Sequence, residues 1–221
     1  MSKARQALAE QLAEAVFQAL AEDLERQERA LLVVSGGSTP VPFFQSLSTK
    51  PLAWERIDIT LADERWVDEQ SDDSNARLVR QHLLQGLASA AHFLPLTTAA
   101  DTPEQGVAEL SVKAARLAWP ASVVILGMGG DGHTASLFPD SLELDLALTT
   151  EEPLVAVRTP SQPQPRITFS AGQLHQAQRH FLHISGEDKR NVLAQAMQGD
   201  DVRQLPIRAF LASPLAIYWA P

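Results

Sequence analysis

Short, largely apolar runs of β-forming residues alternate with stretches of helical periodicity, and this alternation narrows the fold of the 221-residue chain more than anything else in it. Ala30-Leu31-Leu32-Val33-Val34, Ile57-Asp58-Ile59-Thr60-Leu61-Ala62 and Ser122-Val123-Val124-Ile125-Leu126 read as buried strands. Residues 154–157, 181–184 and 215–219 read the same way, with a shorter strand over 92–96. Leu8, Leu12, Val16, Leu20 and Leu24 recur every fourth residue among polar neighbours and predict an amphipathic first helix. Further helices are predicted over 42–47, 74–87, 103–117, 169–176 and 188–197, and Pro160, Pro163 and Pro165 mark an irregular connection. Continuous apolar strands alternating with helices imply an α/β fold with a mostly parallel sheet flanked by helices on both faces. No internal repeat, low-complexity tract or long linker interrupts the pattern, so residues 1–221 are expected to form a single domain.

The formal net charge of −9 argues against nonspecific nucleic-acid binding, and any anionic ligand must be met by a local island of positive charge. The chain has no cysteine, which removes disulfides, thiolate catalysis and cysteine-bound zinc, and fits a reducing cytoplasm. No apolar run approaches the roughly 18 residues a bilayer span needs. The segment Met1 to Glu25 carries Lys3, Arg5, Glu10, Glu14 and Glu22 and does not read as a signal peptide. The oligomeric state is open between monomer and homodimer.

Chemistry concentrates where strands give out. Leu126-Gly127-Met128-Gly129-Gly130-Asp131-Gly132-His133 follows a buried strand, and its four glycines lie within six residues. Such a loop lets a small ligand approach the backbone, and His133 adds one acid–base group at the strand's carboxyl end. Residues 127–132 also spell G-x-G-x-x-G, with Glu151 downstream. That dinucleotide reading is set aside, because the fingerprint must open a long helix and Pro139 interrupts within a few residues. Ser35-Gly36-Gly37-Ser38-Thr39-Pro40 suits a phosphate at a helix start and equally an ordinary capped glycine turn. Asp63, Glu64 and Arg65 form either a surface ion cluster or a crevice wall, and Trp66 beside them either walls a pocket or packs in the core. Lys189, Arg190 and Arg166 are phosphate ligands or solvated charges. His82, His92, His175, His180 and His183 show no metal-ligand spacing and read as surface or core histidines, with His180 and His183 on opposite faces of their strand. No G-x-S-x-G elbow is present.

Taken together, Ser35 to Pro40, Asp63 to Val67, Ser74-Asn75, Gly127 to Pro139, Arg166-Ile167-Thr168 and Gly186 with Lys189 resemble the 6-phosphogluconolactonase family across nearly the whole chain. The resemblance implies a sheet related to the amino-sugar-phosphate deaminase and ribose-phosphate isomerase group. It also implies a sugar-phosphate substrate, 6-phosphoglucono-δ-lactone, and neither cofactor nor metal. On this reading His133 is the general base, Asp131 orients or charges its ring, and Arg65 offsets negative charge on phosphate or oxyanion. Gly36, Gly37, Ser38 and Thr39 would cradle the phosphate, with Asp63, Arg166 and Lys189 as further substrate ligands. The related glucosamine-6-phosphate deaminases resemble H-I-A-F-N-E-P after the histidine. Here Thr134-Ala135-Ser136-Leu137-Phe138-Pro139 supplies no acid, and Arg65-Trp66 replaces that family's tyrosine. A catalytically silent sugar-phosphate sensor would need an appended partner-binding domain, for which no segment is evident.

Overall fold

In the computed structural model, which describes residues 2–221, the chain runs α1 (Lys3–Arg26), β1 (Ala30–Val34), α2 (Val41–Leu47), β2 (Ile57–Leu61), β3 (Asp63–Arg65), α3 (Asn75–His82), β4 (His92–Leu94), α4 (Pro103–Ala114) and β5 (Ala121–Leu126). It continues with α5 (Leu144–Thr149), β6 (Leu154–Val157), β7 (Arg166–Phe169), α6 (Ala171–His175), β8 (Ala177–Ser185), α7 (Glu187–Ala196), α8 (Arg208–Leu211) and β9 (Leu215–Ala220). Six strands form one sheet in the order β4-β2-β1-β5-β8-β9, every neighbouring pair parallel. β1, β2 and β5 are buried along their whole length, as expected of strands covered on both faces. On α1, Ala9, Leu12, Ala13, Val16 and Leu20 form the buried stripe, the alanines letting the helix lie close to α2 and the sheet. Among the described residues no helix is long and apolar enough to cross a membrane.

The chain moves outward from β1 to β2 and β4 on one side, then returns to place β5, β8 and β9 on the other. The order therefore reverses between β1 and β5, and the crevice beyond their carboxyl ends is where open α/β sheets take ligands. The Ser35 hydroxyl spans this gap, donating to the Ile125 carbonyl at 2.9 Å and accepting the Gly127 N–H at 3.1 Å.

A second sheet, β3-β7-β6, is antiparallel and was not expected from the sequence. The strand predicted over 57–62 gives out at Leu61. Ala62 donates to Val34 and accepts from Phe169, and this hands residues 63–65 over to the second sheet. A three-residue strand of charged side chains carries no periodic signal. The helix predicted over 74–87 stops at His82, since Gly86 adopts φ +53 and the following residues form a 3-10 turn. Phe169 belongs to β7, and Ser170 caps α6 by accepting the Gln173 N–H. The four-residue α8 and six-residue α5 are too short for periodicity to reveal.

Candidate active site

A cleft of about 340 Å³ opens at the switch point. One wall comes from the loops after β1, β5 and β8, the other from Asp63 and Arg65 on β3 and Arg166 on β7. Gly36, Gly37, Thr39, His133 and Lys189 also line it. Ser38 does not. It is exposed and faces a smaller adjoining pocket. Asp131 stands behind the imidazole and off the cleft lining.

The glycine loop after β5 folds back on itself, with Gly129 donating to the His133 carbonyl at 2.8 Å and the Thr134 hydroxyl donating to the Gly127 carbonyl at 2.8 Å. No helix follows the glycines; residues 134–137 close a turn through an isolated bridge, which removes the dinucleotide reading. Asp131 Oδ1 lies 2.5 Å from His133 Nδ1 and 3.1 Å from the His133 amide nitrogen. An acceptor at Nδ1 keeps the proton there and leaves the Nε2 lone pair free. Burial raises the Asp131 carboxyl, but the hydrogen bond and charge of His133 outweigh it and hold the group below the usual carboxylate range. A Cβ at Gly129 would overlap both the His133 ring and Asp131 Oδ1, so only glycine leaves room for the pair.

Residues 63–65 alternate faces as a strand must. Asp63 and Arg65 turn to the cleft. Glu64 turns inward, fully buried, and accepts the N–H groups of Arg65, Asn75 and Ala76 at 2.8, 2.9 and 2.7 Å. The Asn75 and Ala76 groups are free donors at the start of α3, where a carboxylate also meets the positive end of the helix dipole, and the Arg65 group belongs to β3 itself. The anchored helix presses Asn75 against Gly36 so closely that a Cβ there would overlap its amide, and Asn75 Nδ2 donates to the Asp63 carbonyl at 3.1 Å.

Asp63 Oδ2 accepts from the Ser136 hydroxyl at 2.5 Å and from Arg166 Nη1 at 3.4 Å. The Arg166 guanidinium lies 5.0 Å from the Phe138 ring centroid, and Phe138 packs 4.2 Å from the His133 ring. Buried Arg166 Nε has no partner among the described residues. Arg65 Nη1 donates to the Asp73 carbonyl at 2.8 Å and to Asn75 Oδ1 at 3.4 Å, so its charge is not spent on a carboxylate. Sequence reasoning gave no role to Asn75, Ser136 or Phe138, although all three lie inside the motifs it quoted. It also treated His183 as bland, yet this residue lines the cleft.

A family model described as glucosamine-6-phosphate isomerases/6-phosphogluconolactonase matches residues 3–219. The chain belongs to this family. Members named 6-phosphogluconolactonase include one from Rhizobium meliloti (strain 1021), 47% identical over 220 residues that cover 97% of this chain and 95% of that one. Another, from Pseudomonas aeruginosa, is 46% identical over 90% of this chain and 84% of its own. The crystal structure of a 6-phosphogluconolactonase from Shewanella baltica OS155 superposes with a TM-score of 0.97 at 44% identity, covering 98% and 94% of the two chains. A monomeric glucosamine-6-phosphate deaminase superposes with a TM-score of 0.77 at 17% identity, covering 97% of this chain and 93% of that one, and so shares the fold.

Two buried groups of this family member titrate abnormally. Burial pushes the Glu64 carboxyl from 4.5 up to about 7, against the three backbone N–H groups, with Asp63 adding to the rise. Burial pulls the His183 imidazole from 6.5 down to about 4. The Glu64 contribution to stability is full below pH 4.5 and lost as pH rises through about 7. That of His183 is full above pH 6.5 and lost as pH falls through about 4. Each is worth on the order of 3 kcal/mol. Between pH 4.5 and 6.5 the two slopes oppose each other, and the protein's stability should change less with pH than His183 alone would dictate. Glu64→Gln should unmask the other slope, so that urea midpoints rise with pH across this window by the equivalent of about 2–3 kcal/mol. A parent protein as steep as the variant would disprove the compensation.

Proposed function

We propose that the chain hydrolyses 6-phospho-D-glucono-1,5-lactone to 6-phospho-D-gluconate. The observation that carries the reading is a carboxylate-held imidazole facing a cleft that also collects Arg65, Arg166 and Lys189, on a protein of net charge −9. Its relatives' names point to the same reaction. The sequence favours it over deamination, since Thr134 to Pro139 supplies no acid after the histidine.

His133 Nε2 takes a proton from water as the water oxygen attacks the lactone carbonyl carbon. Negative charge then grows on the carbonyl oxygen, and Arg65 with Arg166 on the second-sheet wall offsets it. The tetrahedral species collapses by breaking the bond to the ring oxygen. The imidazolium returns its proton to that oxygen, leaving a carboxylic acid that ionises at neutral pH. Asp131 fixes the ring and steadies its charged form. The phosphate sits toward Gly36, Gly37 and Thr39, where loop N–H groups and the Lys189 ammonium are available. The mechanism uses no metal. Among the described residues, no three His, Asp or Glu side chains are grouped to hold one.

The test is hydrolysis of freshly made lactone in the presence of a chelator, corrected for spontaneous ring opening. Turnover is expected to survive the chelator. Glucono-δ-lactone lacking the phosphate should lose at least about ten-fold in kcat/KM, because remote binding energy is forfeited. Equal efficiency on both lactones, or activity restored only by added metal, would overturn this reading.

A further inference from the structure

His183 is a buried polar side chain whose placement the proposed chemistry leaves unused. It sits on β8, 7% exposed, and lines the cleft. Its Nδ1 is closed off from solvent and has no hydrogen-bond partner among the described residues. The ring is wedged edge-on against Phe43, with centroids 6.2 Å apart, so its direction is set by packing. A buried lone pair without a partner is tolerated better than a buried N–H without one, which puts the ring proton on Nε2, the nitrogen left open toward the cleft and the smaller pocket that His183 also lines. Burial also depresses the imidazole to about 4, so at neutral pH the ring is an uncharged donor.

What surrounds His183 indicates what it donates to. Ser185, two residues on and on the same face of β8, and Thr39 at the end of the first glycine loop bring their hydroxyls within 3.4 Å of each other and line the same wall. Lys189 follows in the first turn of α7. Two hydroxyls, an ammonium and a neutral N–H form a set of donors suited to a group that only accepts, and a phosphate monoester is such a group. Resting on the function proposed above, we propose that His183 is a substrate-binding residue, its Nε2–H donating to a phosphate oxygen beside Thr39, Ser185 and Lys189. The smaller pocket, lined by the same Thr39, His183 and Ser185 together with Arg5 but not by Lys189, is the competing place for an anion.

The experiment compares His183→Phe, which keeps an aromatic ring against Phe43, with His183→Gln, whose amide nitrogen restores a donor near Nε2. Phe should raise KM for the phospholactone about ten-fold or more, and more than it lowers kcat, in line with losing a hydrogen bond to a charged acceptor. The competitive inhibition constant of inorganic phosphate should rise in parallel, kcat/KM for unphosphorylated lactone should stay put, and Gln should recover most of the loss. Should the Phe variant not fold, Leu against Gln carries the same comparison. A folded Phe variant with unchanged phosphate affinity would overturn the proposal. So would phosphate binding that is abolished by Arg5→Ala and untouched by Lys189→Ala. Calorimetric titration of inorganic phosphate separates this claim from the reaction itself: weaker binding to His183→Phe supports the anchor even if the parent protein fails to hydrolyse the lactone.

Discussion

His133→Ala is expected to lower kcat by roughly 100-fold or more, the usual scale of general acid–base catalysis, while the protein stays folded. The imidazole is the one group at the cleft that combines a free ring nitrogen with a carboxylate on its other nitrogen, 2.5 Å away. Its side chain is 27% exposed and contributes one ring contact to Phe138, so truncation leaves the core behind it in place. Asp131→Asn gives a second reading on the same pair. An amide there accepts or donates according to its flip, the Nδ1 proton is no longer fixed, and a smaller loss should follow without a change in KM. A folded His133→Ala protein with parental turnover would show that water is activated elsewhere.

Arg65→Ala should cost about 2–4 kcal/mol in kcat/KM, the range for removing a charged donor from a developing oxyanion or a bound phosphate. Its guanidinium reaches a backbone carbonyl and an amide oxygen, and these bonds hold it at the cleft with its positive charge uncompensated by a carboxylate. On sequence grounds the stability cost is expected to be small, under about 0.5 kcal/mol. The bonds to Asp73 and Asn75 raise this to about 1 kcal/mol. The diagnostic pattern is a near-parental melting temperature with most of the activity gone. Early melting with full specific activity would assign Arg65 to tethering the 73–75 segment instead.

The sequence made the parallel sheet legible because fully buried strands must be apolar on both faces, and β1 and β5 announce themselves by that alone. The glycine loop was legible because its composition departs from any packing requirement. The second sheet was not. Its strands are three or four residues long, and what makes Asp63–Arg65 a strand is the pairing with Arg166–Thr168, a contact over a hundred residues away in sequence. The same non-local pairing hid the Asp63–Arg166–Ser136 cluster and the stacking that links Arg166 to His133 through Phe138. Ser38 shows a different limit of reading motifs. Its hydroxyl lies within a motif suited to phosphate, but the chain turns it out of the main cleft, and motif membership says nothing about direction. His183 could not be singled out, since an unpartnered nitrogen is a property of what surrounds a side chain.

The three residues of β3 work like a key cut on both edges. Asp63 and Arg65 project to one side and Glu64 to the other, where it holds the start of α3. Because side chains on a strand alternate, inserting or deleting a single residue between Leu61 and Asp63 would swap the two edges at once. An acid built for burial would face solvent, and two groups built for the cleft would be driven into apolar packing. Evolution can therefore vary this wall by exchanging side chains but not by changing its length, and lengthening is left to the connections that lead into and out of it.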